Sequence, residues 1–109
     1  MMSYTVGEVA NLLGVAPSTL LYYESEGFLP EVERTDSGRR CYSESNVEAC
    51  RVIECLKTSG LSIKEIHDFM AMVQLGDATL ADRLELFEQR RAAVLADIEQ
   101  LKNAWHASI

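Results

Sequence analysis

The sequence predicts an all-α fold with a small β-hairpin wing: a winged helix-turn-helix domain followed by a long coiled-coil helix. Three observations carry that expectation. Helix-start signals recur along the chain, a turn signal interrupts them between residues 28 and 42, and the C-terminal stretch repeats apolar residues in a heptad rhythm. The 109 residues allow one small domain plus an extension, and a hydrophobic fraction of 48% is ordinary for a packed protein.

The first helix is expected over residues 5–13, opening at "TVGE", residues 5–8. There the Thr5 side chain accepts from a backbone N–H while Glu8 reaches back, a capping box, and Gly14 ends the helix. Pro17 suits the first turn of a second helix, 16–26, which Gly27 closes. "PEVERTDSGRRCY" then alternates in short pieces around "DSG", which predicts two short strands in a hairpin. Ser43 caps a third helix, 43–59, which Gly60 ends. "SIKE" at 62–65 repeats the capping box and opens a fourth, 62–75. Gly76 and Asp77 separate it from a fifth, 79–106, whose start "TLAD" is an acidic near-variant of the same signal.

In that last helix Leu80, Leu84, Phe87, Arg91, Val94, Ile98, Leu101 and Trp105 are spaced 4-3-4-3-4-3-4, a heptad seam with one polar intrusion at Arg91. A single helix projecting from a small domain cannot bury such a seam alone, so a second copy of the chain is the expected partner. Residues 1–75 and 76–109 are accordingly expected to be the domain and its dimerisation helix.

The net charge of −7 constrains the partners. Cationic contacts to phosphate supply most non-specific affinity for DNA, so an acidic chain binds it only if its cations cluster on one face. The start "MMSYTVGEVA" has neither the basic region nor the apolar block of a signal peptide, and no apolar run reaches membrane-span length. A cytoplasmic protein without membrane contact is expected.

"YTVGEVANLLGVAPSTLLYYESEGFL", then "RTDSGRRCYSESNVE", then "LKTSGLSIKEI" together resemble the MerR family of transcription regulators, in register from about Tyr4 to Met70. The long helix that follows is similar to the family's dimerisation coil. The resemblance implies a homodimer with an antiparallel coil, each subunit placing its second helix in a major groove and its wing along the backbone of pseudo-palindromic, double-stranded promoter DNA. It further implies DNA-binding roles for Ser18, Thr19, Tyr22 and Tyr23 on the second helix and for Arg34, Arg39, Arg40 and Tyr42 on the wing. RNA polymerase or another protein is a further candidate partner.

One position departs from that pattern. The family's usual Leu-Arg-Tyr-Tyr-Glu is here Leu20-Leu21-Tyr22-Tyr23-Glu24, and the first basic residue of the whole chain is Arg34. Helical spacing sets Leu20, Tyr23 and Glu24 near one face, packing inward or capping, and Ser18, Leu21, Tyr22 and Ser25 on the opposite face, toward DNA. Leu21 cannot bond a phosphate or a guanine edge, though an apolar side chain can touch a thymine methyl. Hydroxyls and the backbone N–H groups at the helix start must then serve the second helix, and the wing must supply the grip. Six arginines per dimer, three in each subunit, set a log–log salt slope of about −5. Lys57 and Lys64 either add to this or are merely solvated.

Cys50 and Cys55 lie five residues apart, about 140° around a helix, and no C-x-x-C occurs. The cysteines are read as core residues, His67 and His106 as isolated, and no metal or cofactor site is expected. No nucleophile–base pair or phosphate loop points to an enzyme. No effector domain is expected after the coil. The alternative to a DNA-binding regulator is a protein-interaction module of the same fold, impaired in DNA binding, with Leu21 and its surrounding acids as the contact surface.

Overall fold

The computed structural model describes residues 3–107. In chain order it contains β1 (Ser3–Tyr4), α1 (Val6–Leu13), α2 (Pro17–Ser25), β2 (Glu33–Arg34), β3 (Arg40–Ser43), α3 (Glu44–Thr58), α4 (Ile63–Leu75), a 3-10 turn over Asp77–Thr79, and α5 (Leu80–Ala107). Every expected helix is present, with its ends shifted by a residue or so.

The capping signals explain that agreement. Thr5 with Glu8, and Ser62 with Glu65, form complete capping boxes at α1 and α4. Ser43 forms a third at α3, with Asn46 in the place usually held by Glu or Gln. Asn46 is buried, and its amide also donates to the Pro30 carbonyl at 2.9 Å, so one residue both caps α3 and fastens the segment after α2. The start read at "TLAD" behaves otherwise. The Thr79 hydroxyl points back to the carbonyls of Met72 (2.7 Å) and Gly76 (2.8 Å), tying the 3-10 turn to the end of α4 instead of capping α5.

The strands form a three-stranded antiparallel sheet in the order β1-β3-β2. β2 and β3 make the expected hairpin, pairing Glu33 with Cys41 and Arg34 with Arg40. β1 pairs Ser3 with Ser43 and Tyr4 with Tyr42, a third strand beyond the expected hairpin, since two residues carry no detectable alternation.

At the end of α2, Gly27 adopts φ +74°. This lets the Phe28 N–H return to the Tyr23 carbonyl at 3.1 Å and the Gly27 N–H to that of Glu24 at 3.1 Å, a Schellman closure. The turn drops Phe28 into the core beside Leu20, Tyr23, Ile53 and Ile66, all at most 2% exposed. Burying each such side chain contributes about 1.5–3 kcal/mol. Cys50 joins this core and Cys41 is half-buried, whereas Cys55 is exposed on α3, a correction to reading all three as core residues. The 140° separating Cys50 from Cys55 carries only one of them inward.

α5 has no buried residue. Arg83, Leu86, Arg90, Ala93 and Val94 are half-buried against the domain, and residues 95–107 are all exposed. The radius of gyration is 17.1 Å, against about 13 Å for a compact chain of this size, because this helix projects. Among the described residues no helix is long and apolar enough to cross a membrane.

Candidate nucleic-acid interface

α2 divides as its spacing requires. Leu20 and Tyr23 are buried and Glu24 is half-buried, while Ser18, Leu21, Tyr22 and Ser25 are exposed and Thr19 is half-exposed. Leu21 retains 37% and Tyr22 42% of their accessible surface, a large apolar and an aromatic side chain side by side on the outer face. The Tyr22 ring meets the edge of Phe28 at 6.4 Å, which anchors it to the core.

Tyr23 works from beneath. Its hydroxyl donates to Glu54 and accepts from Lys57 Nζ at 2.9 Å, and Lys57 also pairs with Glu54 at 3.1 Å. Burial, and next the bond to Glu54, push the Tyr23 phenol up to about 12, so it stays a neutral donor holding α2 against α3. Lys57, which the sequence left undecided, lines an open cleft of about 370 Å³ with Ser18, Thr19, Tyr22 and Ile63. Its charge there is matched by Glu54. Lys64 is exposed, 3.8 Å from Asp68.

The wing tip is built by Thr35, whose N–H donates to the Arg39 carbonyl at 2.8 Å, while the Gly38 N–H returns to the Thr35 carbonyl at 2.8 Å. Arg34 Nη1 donates to the Gly38 carbonyl at 3.1 Å, which splints the tip and leaves the guanidinium exposed. Arg39 is exposed at the turn, and the tip shares a shallow depression with Thr5 and Val6 at the start of α1.

Two wing residues differ from the expected arrangement. Arg40 is half-buried and its Nε donates to Glu24 at 2.6 Å, so it neutralises the acid on α2 and locks the wing to that helix. Tyr42 is fully buried in β3, because the strand's alternation turns it inward, and cannot meet a surface ligand. Its hydroxyl has no partner among the described residues, and burial pushes its pKa up to about 12. A buried donor left unmade costs about 1–3 kcal/mol. Tyr42→Phe is therefore expected to raise stability by about 1 kcal/mol in urea unfolding and to leave DNA affinity unchanged. Lost affinity at retained stability would return Tyr42 to the interface.

The seam residues Leu80, Leu84, Ile98, Leu101 and Trp105 are exposed, between 42% and 70%. Phe87 is partly used within the chain, its ring 4.9 Å from that of Phe69 on α4, and Val94 is half-buried. Arg91 is exposed within the stripe, and Leu95 adds to its edge.

Residues 4–73 match the model of the MerR HTH family regulatory proteins, and residues 47–104 that described as MerR, DNA binding. An HTH-type transcriptional regulator of Haemophilus influenzae is 36% identical over 101 residues, 93% of this chain and 75% of that protein. The mercuric resistance operon regulatory protein of Bacillus cereus is 32% identical over 93% of this chain and 76% of its own. Among solved structures, HiNmlR, a MerR family regulator lacking the sensor domain, was crystallised bound to promoter DNA. It superposes with a TM-score of 0.82 at 35% identity, over 94% of this chain and 77% of its own. A MerR family regulator from Bacillus thuringiensis gives 0.81 at 33% identity, over 94% and 90%.

Proposed function

The chain belongs to the MerR family of helix-turn-helix transcription regulators, and we propose that it binds pseudo-palindromic promoter DNA as a homodimer, gripping mainly through the wing. Residues 1–75 form the DNA-reading unit and 76–109 the dimerisation helix. Ser18, Thr19 and Tyr22 face the bases, Arg34 and Arg39 take phosphates, and Tyr23 and Arg40 hold α2 in place. The observation that carries this reading is the Arg40–Glu24 pair, which ties the wing beside the exposed face of α2. HiNmlR, similar over nearly the whole chain, supports DNA as the partner.

The seam intervals read the same in both directions, so a two-fold antiparallel coil sets Leu80 against Trp105 of the partner subunit and Phe87 against Ile98 of the partner subunit. With Arg40 spent on Glu24, each subunit offers two wing arginines and the dimer four. The expected salt slope becomes about −4 instead of about −5.

Leu21 supports a second reading, an interaction module of this fold with impaired DNA binding, since an exposed leucine with the exposed Glu26 at the end of the same helix suits a protein contact. Fluorescence anisotropy of a labelled duplex, selected by the protein from a random-sequence pool, separates the two. Binding that resists excess non-specific competitor establishes the regulator. Leu21→Arg is expected to add one phosphate contact per subunit, tightening binding roughly 10- to 100-fold and steepening the slope by about 2. Binding seen only with Leu21→Arg would favour the interaction module.

A further inference from the structure

α5 meets the turn between α3 and α4 through a contact that neither capping nor apolar packing demands. Arg90 Nη2 donates to the Ser59 carbonyl at 2.9 Å, bridging 31 residues of sequence. Ser59 is the C-cap of α3, and its neighbour Gly60 has φ +86°. A Cβ added at Gly60 would lie 2.9 Å from the same Nη2, so the guanidinium rests over a glycine and has room only because no side chain is there. Arg90 is half-buried, and its Nε is fully enclosed without a partner among the described residues. The bond to the Ser59 carbonyl therefore ties α5 to the turn at a fixed point, with the guanidinium partly withdrawn from water.

The contact sits where the helix departs. Residues 93 and 94 are the last half-buried positions of α5, and everything from 95 to 107 is exposed. We infer that Arg90 is a positioning residue: it sets the angle at which α5 leaves the DNA-reading unit, and through it the half-site spacing the dimer accepts. This rests on the reading of the chain as a DNA-binding dimer. The lever is long. From residue 90 to 105 the helix extends about 22 Å, so a pivot of about 10° moves its far end by about 4 Å. One base-pair step is about 3.4 Å. A dimer joined through two such helices converts a loose pivot into tolerance of a wrong spacing.

The test uses the full chain and a duplex it selects from a random-sequence pool, then copies of that duplex with the centre lengthened or shortened by one and two base pairs. The natural protein is expected to disfavour altered spacings at least tenfold. Arg90→Met should reduce that penalty to under threefold while sedimenting as a dimer and binding non-specific duplex unchanged. Arg90→Lys, which restores a donor to Ser59, should recover most of the penalty. If Arg90→Met does not fold, Arg90→Gln, shorter but still a donor, is expected to give an intermediate penalty. A variant that keeps the full tenfold discrimination overturns the inference, as does one that loses specific and non-specific binding together, which would mark a general structural role. If the natural protein selects no duplex, the DNA-binding reading fails and this inference falls with it.

Discussion

Replacing Arg34 and Arg39 together with alanine is expected to weaken DNA binding about a thousandfold near 0.15 M salt, with little change in folding. Four cations leave the dimer interface, and each charged contact to phosphate is worth roughly 1 kcal/mol there. Both side chains are exposed, and among the described residues the one side-chain bond lost is that from Arg34 to the Gly38 carbonyl, at the wing tip. α2 has no arginine or lysine with which to compensate, since "PSTLLYYES" contains none. Arg40→Ala is not equivalent: it releases Glu24 to repel DNA and unlocks the wing, so it is left out of the pair. Competitive anisotropy and a thermal melt check the two halves of the expectation. Retained affinity with both arginines gone would move the grip elsewhere.

The second large effect is on assembly. Ile98→Asp is expected to weaken the dimer roughly ten-thousandfold, because the two-fold axis places the carboxylate in the seam twice. Each uncompensated charge costs about 3 kcal/mol. In one subunit Ile98 keeps 42% of its surface and packs in no core, so the monomer should retain its helix content. Sedimentation velocity should show a dimer for the natural chain and a monomer for the variant, and specific DNA binding should fall with it. A variant that remains dimeric would place the interface off this seam.

What was legible in the sequence was local. Thr5 with Glu8 and Ser62 with Glu65 announce helix starts because a cap and its partner lie three residues apart. The "DSG" turn located the hairpin, and helical spacing sorted Leu20 and Tyr23 from Leu21 and Tyr22. The misses were contacts between residues distant in sequence. The resemblance points Arg40 at phosphate, whereas its Nε bonds Glu24, sixteen residues away. The resemblance implies a surface role for Tyr42, whereas strand alternation next to exposed Ser43 turns it inward. Arg90 gave no signal at all, since its partner is a backbone carbonyl. Asn46 hid a capping box by standing where Glu or Gln is usual.

The central claim is that the wing, through Arg34 and Arg39, supplies the charge that α2 lacks. The salt dependence of binding tests it most directly. Affinity for the selected duplex, measured across a range of salt concentrations, should fall with a log–log slope of about −4, the value for four neutralised phosphates per dimer. A slope between 0 and about −1 would contradict it, because binding would then owe almost nothing to phosphate and the arginines of the wing would not be holding DNA.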